Sequence, residues 1–152
     1  MSQNIIGTTD HLRMAKSILT DLRNRGYEEH ASLLYAGDDE KISWLDNIRE
    51  EDGRHKDQGP YEAGVVELHS LGKVASVGPA YNLIADVATT SEASLAEVCS
   101  DMGLPSEGEE LIKQWLQEGK YILMVNNVTD SQVNFLKQQL GDLQGLDDLT
   151  IC

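Results

Sequence analysis

Within LGKVASVGPA, Lys73 directly follows Gly72, and His69 and Gly78 lie close by. A lysine, a histidine and the backbone amides ahead of Pro79 are the groups that would hold a small anion at a helix N-terminus. Gly72, Lys73, Gly78 and His69 are therefore the candidate ligand-binding residues. The stretch is not a P-loop, because no Gly-Lys-Ser/Thr closes it. Its plain reading is a turn and a helix start, with Pro79 near the first helical position. If His69 faced a cleft with Glu67 or Tyr61, acid–base work would be open to it.

Other reactive residue types are present without a reactive pattern. His11, His30, His55 and His69 are scattered and show neither HxxxH nor HExxH spacing, so no metal is implied. Asp38, Asp39 and Glu40 follow Gly37 densely but lack the order of a calcium loop. Serines are plentiful, yet no GxSxG elbow occurs, and neither Cys99 nor Cys152 has a histidine near it in sequence. The reading is a protein without catalytic residues and without a cofactor. Two cysteines are too few for a disulfide framework, which points to reduced thiols in the cytosol.

Two further residues suggest surface contacts. Trp115 shares a helical face with Leu111, Ile112 and Leu116 and reads as core. Trp44 lies off the Ile42, Leu45, Ile48 stripe beside an acidic loop, and is an interface candidate. Ile151, at the end of the last apolar run, is a second.

The elements that would position these residues come as two similar units at the ends of the chain. Asn4 to Gly7 opens a strand; Thr8, Thr9 and Asp10 offer N-cap oxygens. Leu12, Ala15, Ile18, Leu19 and Leu22 follow at helical spacing, Gly26 stops the helix, and Ala31 to Ala36 is a compact strand. The second unit runs from the strand Tyr121 to Val125, through a capping box of Thr129 and Gln132 and a helix carrying Val133, Leu136 and Leu140, to a strand over Leu146 to Ile151. Two βαβ units of this size interleave most naturally as a ferredoxin-like plait, with both long helices on one face and the outer strands near Ala31 to Ala36 and Leu146 to Ile151.

The expected architecture is thus α+β in a single domain, 1–152. It comprises an N-terminal βαβ (3–37), a mostly helical insertion (40–119) and a C-terminal βαβ (120–152). Within the insertion, Ala63 to Leu68 reads equally as strand or helix. Ser91 caps a helix that Gly103 terminates, and Ser106 with Glu109 forms a capping box.

Charge narrows the partners. Lys plus Arg number 12 against 26 Asp plus Glu, a formal net charge of -14, and no Lys or Arg occurs from Val74 to Ile112. Such a field repels phosphate backbones and anionic membranes, so neither nucleic acid nor membrane is expected. It suits a partner with a basic surface. The N-terminus MSQNIIGTTDH has no basic region and no long apolar run, so a cytoplasmic location is expected.

The segment MGLPSEGEELIKQWLQEGKYILMV, Met102 to Val125, resembles a bacterial general-stress protein family, heat-induced YflT-like and cyanobacterial low-temperature-induced protein-like. GKVASVGPAYNLIA, Gly72 to Ala85, stands where that family carries a glycine-rich middle segment. Relatives are often apolar there, whereas this chain has Tyr81, Asn82 and Asp86. The resemblance implies a link to stress response and no catalytic residues. The functional expectation is a non-enzymatic stress-associated protein acting through protein–protein contacts, as a homo-oligomer. The alternative is a sensor holding an anion or nucleotide between sheet and insertion.

Overall fold

A computed structural model describes residues 3–27, 30–37, 63–68, 72–78, 81, 99–100, 103–141 and 147–151. Strand β1 (Gln3–Thr9) leads to α1 (Leu12–Leu22), which closes in a π-turn at Arg23–Tyr27 before β2 (Ala31–Ala36). Strands β3 (Ala63–Leu68) and β4 (Gly72–Val77) precede α2 (Ser106–Gln117). Then come β5 (Tyr121–Val128), α3 (Asp130–Gly141) and β6 (Asp147–Ile151). The class is α+β.

The six strands form one sheet in the order β3-β4-β2-β5-β1-β6, and every neighbouring pair is antiparallel. The two terminal units interleave: β5 lies between β1 and β2, and β1 lies between β5 and β6.

Apolar side chains leave the sheet on both faces, because successive residues of a strand point to opposite sides. Ile5, Leu33, Tyr35, Val77, Leu123 and Val125 pack with Ala15, Ile18, Leu19 and Leu22 of α1 and with Val133 and Leu136 of α3. Their neighbours Ile6, Leu34, Val74, Ile122 and Met124 pack with Ile112, Trp115 and Leu116 of α2. Burial on both faces explains why β2 and β5 read as nearly continuous apolar runs rather than as alternating strands, and why β1 buries Asn4, Thr8 and Thr9 along with Ile5 and Ile6. Each fully buried Ile or Leu contributes about 1.5–3 kcal/mol. The layers are α1 and α3, then the sheet, then α2. The terminal helices share a face as expected, and the insertion helix covers the opposite one.

Local signals account for most boundaries. The Thr129 backbone N–H donates to Gln132 Oε1 (2.9 Å) and the Gln132 N–H to Thr129 Oγ1 (3.3 Å), forming the expected capping box. Helix α2 ends in a Schellman motif, with Gly119 N–H to Leu116 O (3.1 Å) and Lys120 N–H to Trp115 O (3.0 Å). Gly119 sits at φ 76°, which a residue with a Cβ adopts only under strain.

These expectations require correction. The stretch Gly72–Val77 is strand β4, not a turn running into a helix. Together with β3 it extends the sheet, so the insertion supplies two strands as well as α2, and the rest of it lies outside the described residues. Strand β2 is internal, flanked by β4 and β5, and the open edges are β3 and β6. At the start of α2 the N-cap is Pro105, which makes no side-chain cap, so Ser106 and Glu109 form no capping box. The N-cap of α1 is likewise His11 rather than Thr8, Thr9 or Asp10, although Thr9 Oγ1 accepts the His11 N–H at 3.1 Å.

Candidate functional site

The proposed ligand residues are distributed along β4. Gly72 and Lys73 begin the strand and Gly78 follows its end. Six residues of extended chain separate Gly72 from Gly78 by about 20 Å. His69 lies outside the described residues. Lys73 is half-buried, in register with Glu67 of β3, and its carbonyl accepts the Gly37 N–H at 3.2 Å.

The Gly78 end is closely packed. Gly78 has φ 100°, and a Cβ there would collide with the Ala31 carbonyl oxygen. Three residues along, the Tyr81 N–H donates to Gly78 O at 3.0 Å. Tyr81 covers Gly64, where a Cβ would lie 2.5 Å from its ring. Ser76, in register with Gly64 on one side and Leu34 on the other, is wholly buried. Its Oγ has no hydrogen-bond partner among the described residues. A buried hydroxyl without a partner is costly, about 1–3 kcal/mol. This polar atom was not singled out in the sequence, because a serine between Ala75 and Val77 reads as part of a turn.

The described histidines do not converge. His11 is exposed after β1, whereas His30 precedes β2. Because β1 and β2 run in the same direction, these positions lie at opposite ends of the sheet. His30 Nδ1 lies 2.9 Å from the Asn126 carbonyl oxygen. That oxygen can only accept, so Nδ1 carries the proton. His55, like the acidic run Asp38 to Glu40, falls outside the described residues. Among the described residues no three His, Cys, Asp or Glu side chains group closely enough for a metal ion. Cys99 is buried, in no disulfide among the described residues, and packs in the cluster of Trp115 and Leu104.

Two polar arrangements were not visible in the sequence. Asn4 Oδ1 accepts from Asn126 Nδ2 (3.1 Å) and from the Asn127 backbone N–H (3.2 Å). Asn127 has φ 58°, a conformation in which asparagine is enriched, and the adjacent β1 register shifts between Gln3 and Ile5. The Asn126-Asn127 pair inside a strand was the available signal. Elsewhere, Tyr35 and Tyr121 stack with ring centroids 4.2 Å apart and planes 14° apart. Burial raises the Tyr121 phenol above its ordinary value, and the charge and hydrogen bond of Tyr35 add to the effect. Nothing in the spacing of these tyrosines announces their contact.

Among the described residues, the large apolar side chains that remain exposed are Val65 on β3, Phe135 on α3 and Ile151 on β6, at 41%, 46% and 36%. Val65 and Ile151 therefore stand on the two edge strands. Trp115 is buried under α2 as expected, and Trp44 lies outside the described residues. Among the described residues no helix is long and apolar enough to cross a membrane.

No family model matches the chain, and neither a curated protein nor a solved structure matches it.

Proposed function

We propose that this protein is non-enzymatic and acts through protein–protein contact, chiefly by self-association. The observation that carries this reading is the exposure of Ile151 on the edge strand β6. An edge strand presents unpaired N–H and C=O groups that another chain can complete. The strand order β6-β1-β5-β2 within the larger sheet supports a ferredoxin-like plait extended by the β3–β4 pair. The Met102 to Val125 resemblance supports a stress-associated role, and the net charge of -14 suits any further partner with a basic surface. A cytoplasmic location fits the two-cysteine composition.

Light scattering on the purified chain across a wide concentration range tests the reading. A mass that rises above 16.8 kDa with concentration is expected. A single 16.8 kDa species throughout removes the support.

The unpartnered Ser76 Oγ favours a second reading, a sensor whose ligand lies between sheet and insertion. A thermal-shift screen with phosphates, nucleotides and divalent cations separates the two. A ligand that raises the melting temperature in the native chain and not in Ser76→Ala supports the sensor.

A further inference from the structure

We propose that the chain forms a two-fold dimer in which β6 pairs antiparallel with β6 of a second copy and the two α3 helices meet beside the new strand pair. This rests on the self-association reading and adds its edge, its symmetry and its contacts.

Strand β6 is bonded to β1 on one side only, and no strand of the described chain lies on its other side. Its charges are confined to one half, DD followed by LTI. Antiparallel pairing centred on position 149 sets position 147 against 151 and 148 against 150. Each acidic position then meets an uncharged one. Parallel pairing would set acid against acid, which is destabilising.

Helix α3 supplies a matching pattern. It packs on β1 and β6. Val133 and Leu136 are buried and define its sheet-facing stripe. Asp130 and Lys137 are both exposed and lie seven residues apart, two turns along one flank of the helix. Phe135 occupies the other flank. In a right-handed crossover from β5 through α3 to β6, the Asp130–Lys137 flank turns toward the free side of β6. A two-fold axis beside β6 makes the two α3 helices antiparallel, so Asp130 of each copy approaches Lys137 of the other. Strand spacing places the two helix axes about 10–14 Å apart, within reach of a lysine and an aspartate.

Charge also selects this helix. Two copies of a chain at -14 repel each other. Helix α2 carries Glu107, Glu109 and Glu110 against Lys113 alone, whereas α3 carries one acid and one base. Helix α1 carries Arg13, Lys16 and Asp21 but packs on β2, β5 and β1, so among the described helices the α3 flank is the one beside the β6 edge on which two copies can approach with opposite charges facing.

The alternative edge is β3, where Val65 is exposed. Pairing of β3 with β6 of the next copy would be head-to-tail and would give rings or filaments rather than a two-fold dimer. Light scattering of the full chain, with circular dichroism to confirm folding, decides among these. The native chain is expected to be a dimer. Ile151→Glu, set against Asp147, weakens it at least about tenfold, whereas Ile151→Lys keeps it within about threefold. Asp130→Lys and Lys137→Glu each weaken it by about fivefold, and the double variant regains most of the loss. A dimer broken by Val65→Glu and unaffected by Ile151→Glu overturns this inference while leaving self-association standing. Open-ended assemblies overturn it too, as does a double charge swap that fails to recover. A native chain that stays monomeric overturns both.

Discussion

Ser76 and Tyr121 are two described residues whose surroundings oppose what their side chains prefer. Ser76 Oγ is buried with no hydrogen-bond partner among the described residues, so with these alone its hydroxyl contributes desolvation cost and no compensating bond. Ser76→Ala is expected to leave stability unchanged or raise it by up to about 1 kcal/mol, read from urea unfolding. A loss above that margin would mean the hydroxyl is satisfied by something bound. Tyr121 has a raised phenol, chiefly through burial. The folded state therefore holds its proton more tightly than the unfolded chain does. The stabilisation is complete below pH 10.0, the ordinary tyrosine value, and declines as pH rises through the higher folded one. Alkaline unfolding should steepen above that point, and Tyr121→Phe should flatten the slope. An unchanged slope in the variant would assign the alkaline loss elsewhere. Gly78→Ala should cost more than about 1 kcal/mol, because φ 100° and the Ala31 carbonyl both oppose a Cβ.

At the scale of elements, helix α3 depends on its first turn. The reciprocal bonds between Thr129 and Gln132 satisfy donors that the helix leaves open, so Thr129→Ala should cost about 1 kcal/mol in urea unfolding. A cost near zero would show that the cap is dispensable. This element was readable in the sequence because capping chemistry is local, and so were α1, β2 and β5, whose apolar runs match both their periodicity and their burial. Strand β4 was not. GKVASV carries a lysine and a serine between glycines and has the look of a turn. It becomes a strand because β2 and β3 pair with it on either side, across separations that no local pattern encodes. The same non-local pairing moved the sheet edge from β2 to β3. Of the candidate residues, Ile151 ends an apolar run and stands exposed on the edge strand β6. Gly72 and Gly78 were grouped by closeness in sequence, which an extended strand converts into separation.

For the whole molecule, charge sets the conditions under which its surfaces can meet. At low ionic strength the field of a chain at -14 reaches about 30 Å, and at physiological salt about 8 Å. Repulsion between copies should therefore relax as salt rises, outweighing the loss from two exposed Asp130–Lys137 pairs. Association is expected to tighten between about 0.01 M and 0.15 M salt. Weakening over that range would mean that attraction between opposite charges, not strand pairing, holds the copies together. The most direct test of self-association is sedimentation equilibrium of the native chain near physiological salt. A reversible monomer–dimer equilibrium is the expected result, and a lone 16.8 kDa species at the highest concentrations reached contradicts it.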